Sequence, residues 1–443
     1  MLKNGAQTVR PRNMEKYMQW FSDLDQQGKS VETLNRSVME SYQLDILNHL
    51  IEYVFSCNDF YFQRLADSGY SGETINWEGF KTIPFVTKDD LRDNFRSVIC
   101  NAQLAQLYCS TGTTGGKPIY VGHTLREMFD YYIAPQHPSL FGHIRNTIVA
   151  NCLPYEMSSS AMSFHSEFQH MLQCTVLPLG KGGAYSSPEK ALEFMMTIQP
   201  SILVTTPSYA ISLFETALRM GINPSSDLQI ATVLLTGEGV SHALRQKIEK
   251  YWNANATIIY GSLETMLLGI ECIHQNGFHV PEGHVHMEII DPLNGRTLGP
   301  GHTGEIVITT LLREGMPLIR YRTGDLGYME YGLCKCGVSL PKVHLRGRSN
   351  DQIKLKFGSY SPFYLEDLLM SIAGTGNNYR FLTRGHELTI ELLKEKESVD
   401  EESLIQTIVN RFEYFLNQRV TVKIVEAIPT VPGKVVRVWK ETE

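Results

Sequence analysis

Ile202-Leu203-Val204-Thr205-Thr206-Pro207, Thr232-Val233-Leu234-Leu235-Thr236-Gly237-Glu238-Gly239 and Thr257-Ile258-Ile259-Tyr260-Gly261-Ser262-Leu263-Glu264 are three versions of one pattern. Each is a short run of apolar and β-branched residues that ends in a polar segment. Between the first and the second, Tyr209 to Met220 carries apolar residues at helical spacing and is closed by Gly221; between the second and the third, Ser241 caps a helix reaching Trp252. Strands apolar on both faces, alternating with amphipathic helices, predict a parallel sheet covered on both sides. Ligands of such sheets sit beyond the carboxyl ends of the strands. The polar ends are therefore the expected floor of a site. Glycines there, such as Gly237 and Gly261, let a flat ring lie close to the backbone, and Glu238 and Glu264 supply carboxylates.

Upstream, Thr147 to Ala150 reads as a strand, Ala161 to Leu172 as a helix and Thr175 to Pro178 as a strand. Before them, the apolar run Leu104 to Tyr108 leads into Ser110-Thr111-Gly112-Thr113-Thr114-Gly115-Gly116-Lys117-Pro118. Four hydroxyls, three glycines and one lysine in nine residues leave backbone N–H groups open to an anion. This is not a Walker A loop, because Thr111 stands where that motif needs glycine and Pro118 where it needs Ser or Thr. By composition alone a flexible surface linker fits equally well. The strand ends decide between the two: a carboxylate such as Glu264 beside a phosphate loop is a natural Mg²⁺ ligand, and loop, glutamate and sheet converge on a nucleoside triphosphate.

Residues 14 to 95 read as mostly helical, with Thr87 and Asp90 forming a helix-start signature, and carry no recognisable chemistry. Their expected role is to pack against the catalytic domain or a second subunit, as in a homodimer. From about His284 the pattern turns antiparallel, with His286 to Ile290 and Glu305 to Thr309 joined by the turn Asp291 to Gly295. Arg346-Gly347-Arg348-Ser349-Asn350-Asp351 is a polar break, and the stretch after it has the length of a small α+β domain. It finishes in Val431-Pro432-Gly433-Lys434, a turn presenting one lysine.

A chain of 443 residues needs more than one core, and 42% hydrophobic with 20% charged residues can supply them. A net charge of −7 without a Lys/Arg block gives no reason to expect a nucleic-acid partner. No apolar run approaches the roughly 20 residues that cross a bilayer, and the first dozen residues lack the apolar core of a secretory signal. A cytoplasmic protein with small-molecule substrates and no membrane partner is expected.

Five motifs in order, the loop Ser110 to Pro118, Tyr260-Gly261-Ser262-Leu263-Glu264, Tyr321-Arg322-Thr323-Gly324-Asp325, Gly347-Arg348-Ser349-Asn350-Asp351 and Gly433-Lys434, resemble the AMP-forming adenylating enzymes. Glu314 to Asp325 and Cys334-Lys335-Cys336-Gly337 resemble the phenylacetate–CoA ligase branch in particular, and the likeness covers roughly residues 80 to 440. It implies that an aryl or arylacetic acid attacks ATP, giving acyl-AMP and pyrophosphate, and that the acyl group then passes to the thiol of coenzyme A. Positioning and charge neutralisation do most of that work.

The resemblance also implies roles for residues. Ser110, Thr111, Gly112, Thr113, Thr114 and Lys117 hold phosphates; Glu264 binds Mg²⁺; Gly237 and Glu238 border the adenine; Tyr260, Gly261 and Ser262 line the ring and phosphate. Asp325 takes the ribose hydroxyls with Arg348 near, Lys434 meets the carboxylate and α-phosphate, and Asn350 is the hinge. The implied fold is α/β. A large N-terminal domain, 1–348, has parallel sheets covered by helices, divided into a helical start at 1–95, an α/β core at 96–283 and a small β subdomain at 284–348. A small mobile α+β C-terminal domain follows at 349–443.

Three places depart from the family pattern: the double glycine Gly115-Gly116, Leu263 in place of a hydroxyl residue, and the polar run Pro154 to Ser160 where relatives place an acyl-pocket loop. Transfer to a carrier protein or an amine, or nucleotide binding without turnover, are the competing readings. Cys334 and Cys336 could be idle thiols or a redox pair; with Cys272 and His279 they make the Cys₃His set of a structural Zn²⁺ site, His274 being the competing ligand.

Overall fold

The structure is a computed structural model and describes residues 12–100, 103–110, 117–129, 135–183, 185–395, 400–428 and 436–440. Helices open the chain: α1 (Glu15–Gln26), α2 (Arg36–Cys57), α3 (Asp59–Asp67), α4 (Trp77–Lys81) and α5 (Lys88–Asn94). Asn35, Asn58 and Asn76 cap α2, α3 and α4 through their side chains. Thr87 and Asp90 form the expected capping box at α5, each side chain satisfying the other's backbone N–H.

A hairpin of β1 (Gln106–Cys109) and β2 (Tyr120–His123) follows, then α6 (Leu125–Phe129). Next comes the alternating series β3 (Ile148–Asn151), α7 (Ser159–His170), β4 (Thr175–Pro178), α8 (Pro188–Ile198), β5 (Ile202–Thr205), α9 (Pro207–Arg219), α10 (Pro224–Asp227), β6 (Thr232–Leu235), α11 (His242–Trp252) and β7 (Asn255–Ser262). The strands pair in parallel in the order β4-β3-β5-β6-β7. Side chains alternate across this sheet as the strand period requires: Ile202, Val204 and Leu234 enter one core, Leu203, Val233 and Leu235 the other. Each such buried side chain contributes about 1.5–3 kcal/mol. The first core is shared with α2 and α3, the second with the C-terminal part of the chain.

The antiparallel half begins earlier than the sequence pattern predicts. Strand β8 (Met266–Glu271) already runs antiparallel to β7, and β9 (Phe278–His279), β10 (Val285–Ile290), β11 (Gly304–Thr310), β12 (Tyr321–Glu330) and β13 (Lys342–Arg348) complete one continuous sheet of 11 strands. The three residues between β7 and β8 are far too few for the crossover a parallel neighbour needs. Met266 to Glu271, apolar on both faces, gives no alternation by which to recognise the reversal. The β region is thus an extension of the parallel sheet.

A two-stranded hairpin, β14 (Ile353–Leu355) and β15 (Gly358–Tyr360), leads to α12 (Pro362–Met370), β16 (Thr375–Arg384), β17 (Glu387–Lys394), α13 (Glu401–Leu416), β18 (Thr421–Ile424) and β19 (Val438–Lys440). Their own sheet has the order β18-β17-β16-β19. It docks on α11: Glu366 Oε1 accepts from the N–H of Ser241 at 2.5 Å, Asp367 Oδ1 from that of Ala243 at 2.7 Å, and Lys247 Nζ donates to the Thr375 carbonyl at 2.7 Å. The two carboxylates lie at the α11 N-terminus, where the helix dipole favours them. Gly239 is flat against Phe363, leaving no room for a Cβ.

Candidate active site

The turn between β7 and β8 sets the geometry. A side chain at Gly261 would collide with the Met266 carbonyl, so only glycine lets the hairpin close this tightly. Ser262 and Thr265 hydroxyls lie 2.9 Å apart across the turn, and Ser262 Oγ accepts from the Thr265 N–H at 3.3 Å. This brace presents Glu264, which is 8% exposed. The Arg313 guanidinium donates to the Glu264 carbonyl at 2.6 Å, and the Tyr321 hydroxyl to Glu264 Oε1 at 3.2 Å. Among the described residues no hydrogen bond reaches Oε2.

Beside it stands a second cluster. The Tyr260 hydroxyl donates to Asp325 Oδ2 at 2.9 Å, and Arg348 Nε lies 3.2 Å from Oδ1. Asp325 and Arg348 are also register partners on β12 and β13. Burial, and then the Asp325 carboxylate, push the Tyr260 phenol well above its ordinary value; burial and Glu264 do the same to Tyr321. Both phenols therefore stay protonated donors. Glu264 also acts on Arg348, and Asp325 on Tyr321, so the two clusters form one electrostatic unit.

The other expected residues take the following places. Ser110 closes the base of the β1–β2 hairpin: its N–H donates to the Ile119 carbonyl at 2.9 Å and its Oγ accepts from the Ile119 N–H at 2.8 Å. Thr111, Gly112, Thr113 and Thr114 lie outside the described residues, as does Lys434. Lys117 is exposed and its Nζ is 3.4 Å from Asp93; it does not join the Glu264 cluster. Gly237 sits just beyond β6 with φ +79°, a conformation that favours glycine. Glu238 turns toward Lys181, 3.0 Å away, and accepts from the hydroxyl of Ser208 at 2.7 Å and its N–H at 3.1 Å. Burial would raise its pKa, but Lys181 and Ser208 outweigh that and hold it below the usual range. The Asn350 carbonyl accepts from Lys440 Nζ at 2.6 Å.

A largely apolar cavity opens beside Thr265 and Met266, walled by Tyr108, Met128, Phe129 and Met171. Helix α7 lines it through Ser163, Ser166 and His170. The run Pro154 to Ser160, expected to form the acyl pocket, is not part of this wall; Tyr155 and Glu156 border a separate hollow with Leu179 and Tyr185. Sequence reasoning missed Tyr321 as the partner of Glu264, and His123 and Arg313 as cavity residues. Arg313 directly precedes the recognised run starting at Glu314, which was the available signal. His123, an isolated histidine at a strand end, offered none.

Cys272, His279, Cys334 and Cys336 have ligand atoms within 4.8 Å of one another, and exposed His274 is not in this group. The Cys272 and Cys334 sulfurs are 3.9 Å apart, close to the roughly 3.8 Å edge of a tetrahedron with Zn–S of about 2.3 Å. His279 Nε2 is 3.5 Å from Cys336 Sγ, while its Nδ1 lies 3.1 Å from the Leu340 carbonyl. Donation from Nδ1 leaves the Nε2 lone pair for a metal. Burial lowers the His279 pKa to about 4, which keeps the ring neutral. The four residues fit a structural zinc ion.

No family model matches the sequence. The phenylacetate-coenzyme A ligase of Thermus thermophilus is 29% identical over 384 residues, 84% of each chain. The enzyme of the same name from Pseudomonas putida is 29% identical over 385 residues, 84% of this chain and 86% of that one. Among solved structures, 2-hydroxyisobutyryl-CoA ligase in the postadenylation state with R3-HIB-AMP aligns at a TM-score of 0.84 and 21% identity, covering 93% of this chain and 91% of that one. Its thioesterification-state structure aligns at 0.68 and 23% identity over the same shares. Relatives named phenylacetate-coenzyme A ligase thus align along most of both chains, and the fold is the one seen in 2-hydroxyisobutyryl-CoA ligase: the chain is similar in sequence to the former and shares its architecture with the latter.

Proposed function

We propose that the protein converts an aryl or arylacetic acid to its CoA thioester in two steps. A carboxylate oxygen attacks the α-phosphorus of ATP and the bond to the β-phosphate oxygen breaks, giving acyl-AMP and pyrophosphate. The CoA sulfur then attacks the acyl carbon, and AMP leaves. The observation that carries this reading is the union of Glu264 and Asp325, through Tyr321, Tyr260 and Arg348, next to the turn residues Thr265 and Met266 that line an apolar cavity.

In this reading Asp325 accepts from the ribose hydroxyls, and Arg348 neutralises it between turnovers. Gly237 and Glu238 border the adenine, and Tyr260 fixes the Asp325 carboxylate. Ser110 through Lys117 enclose the phosphates. Glu264 Oε2 would hold Mg²⁺, which when bound lowers the charge on the phosphates. Lys434 meets the α-phosphate, where charge builds in the transition state; one such contact is worth about 10²–10³ in rate. The four zinc-type residues fasten β8 and β9 to the 334–336 loop, a structural role.

The structure is more like the postadenylation than the thioesterification structure of the 2-hydroxyisobutyryl enzyme, and in this reading the C-terminal domain rotates about Asn350 between the steps. Any such rotation must break the contacts of Glu366, Asp367 and Thr375 with α11. ATP and CoA as substrates fit the cytoplasm, and among the described residues no helix is long and apolar enough to cross a membrane.

The test is incubation of the purified protein with ATP, Mg²⁺, CoA and single aryl acids, with mass detection of thioester and AMP. Acid-dependent formation of both is expected. AMP without thioester would move the acceptor to a carrier protein or amine. Neither product with any acid would overturn the proposal.

A further inference from the structure

His123 and Arg313 line the cavity, and each carries a polar atom that nothing in the described structure satisfies. His123 is 5% exposed and its Nε2 has no hydrogen-bond partner; Arg313 is 7% exposed and its Nη2 has none, Nη1 being taken by the Glu264 carbonyl. Buried polar atoms of this kind are few in folded proteins and call for a partner.

The chemistry of that partner follows from the neighbours of His123. Its Nδ1 is 3.7 Å from Glu127 Oε2. The Glu127 oxygens already accept backbone N–H groups from Thr124 at 2.7 Å, Glu314 at 2.5 Å and Gly315 at 2.8 Å. At 3.7 Å the approach of Oε2 to Nδ1 is a charge contact longer than a hydrogen bond, and the carboxylate favours the imidazole proton on Nδ1, which leaves a lone pair on Nε2. Burial, and then Arg313, hold the His123 pKa well below its ordinary value, so the ring is neutral. A neutral Nε2 accepts and does not donate.

The reacting carboxylate cannot fill this position, because a carboxylate has no proton to give. An ammonium group could donate, but the neighbouring Arg313 guanidinium disfavours a second cation. A neutral hydroxyl donates to His123, and its oxygen can accept from Arg313 Nη2. Tyr108, Met128, Phe129 and Met171 supply flat and adaptable apolar walls for the carbon skeleton.

Building on the acid-activating reading above, we propose that the substrate is an aryl acid bearing a hydroxyl group besides its carboxylate, the hydroxyl donating to His123 Nε2. An unsubstituted acid leaves Nε2 buried without a partner, which corresponds to about 10- to 100-fold in kcat/KM.

The experiment compares phenylacetate with 3- and 4-hydroxyphenylacetate, and benzoate with 3- and 4-hydroxybenzoate, by pyrophosphate release from wild-type protein. At least one hydroxylated acid should exceed its parent by about 10-fold or more, mainly in KM. Parents equal to or better than every hydroxylated acid overturn the proposal while leaving acid activation standing. His123→Leu should bring the preference to within about threefold, and His123→Gln, whose amide oxygen can accept, should keep much of it. A preference unchanged in His123→Leu also overturns it. The wild-type comparison decides alone if a variant does not fold. If no acid is turned over, calorimetric titration of the same six acids replaces turnover: tighter binding of a hydroxylated acid supports this inference although acid activation has failed, and equal or absent binding overturns it.

Discussion

The Tyr260 hydroxyl reaches Asp325 Oδ2 across 2.9 Å, joining residues 65 positions apart in the chain. Tyr260 ends the parallel half of the sheet and Asp325 lies in the antiparallel half. One hydrogen bond therefore spans the two patterns from which the site is built. Asp325→Asn removes the charge that pairs with Arg348 and, in the proposed site, one acceptor for the ribose. A hydrogen bond to a charged group is worth about 1.5–3 kcal/mol, so the KM for ATP should rise about 10- to 100-fold. Steady-state kinetics at saturating acid checks this, and an unchanged KM would remove Asp325 from nucleotide binding.

Lys434→Ala should abolish adenylate formation while leaving thioester formation from a supplied acyl-adenylate nearly intact. In the proposed mechanism a positioned cation at the α-phosphate is worth about 10²–10³ in the first step and would have no partner in the second. Separate assays of the half-reactions decide; equal loss in both contradicts a lysine that serves one step alone.

The strands of the parallel sheet and the helices α7, α9 and α11 were legible in the sequence to within a residue or two, whereas α8 and α10 were not read. Ile202 to Thr205 and Thr232 to Leu235 coincide with β5 and β6, and Ser241 caps α11 as read. Apolar runs bounded by polar turns leave little choice there. The β7–β8 reversal was not legible, because a tight turn braced by Ser262 and Thr265 has no distinctive spacing. Glu264 and Asp325 could be picked out from motifs, but their union through Tyr321 and Tyr260 depends on sheet register, which only the pairing reveals. His123 gains its meaning from Glu127 and Arg313, four and 190 positions away.

Zinc should be present at about one ion per chain by metal analysis, following the four-ligand requirement of a structural site. Cys336→Ser or prolonged chelation should lower the melting temperature by several degrees, since a bound ion would tie β8 and β9 to the 334–336 loop, and adding zinc should restore the chelated protein. Fully active, equally stable protein without zinc would refute the site.

Acid should destabilise the fold through buried histidines. Burial lowers His284 to about 4 and His286, stacked on Trp77, to about 3. Unfolded histidine titrates near 6.5. Below that pH the unfolded chain binds protons that the folded chain refuses, so stability is complete above about 6.5 and is lost as pH falls. The slope approaches about 1.4 kcal/mol per pH unit for each such group until its folded pKa is reached. Urea unfolding between pH 7 and 5 should show a falling midpoint. His286→Gln, which keeps a polar side chain opposite Gln43, should reduce the slope.

Glu264→Gln keeps the shape of the turn and removes the carboxylate charge, so it isolates the part this residue plays with the phosphates. Acid-dependent exchange of labelled pyrophosphate into ATP, without CoA, reports acyl-adenylate formation alone. Wild-type protein should catalyse exchange only when the aryl acid is added, and Glu264→Gln should lower its rate about 10²–10³-fold. Exchange that ignores the acid, or a Glu264→Gln rate equal to wild type, would contradict an ATP site built on Glu264 and Asp325.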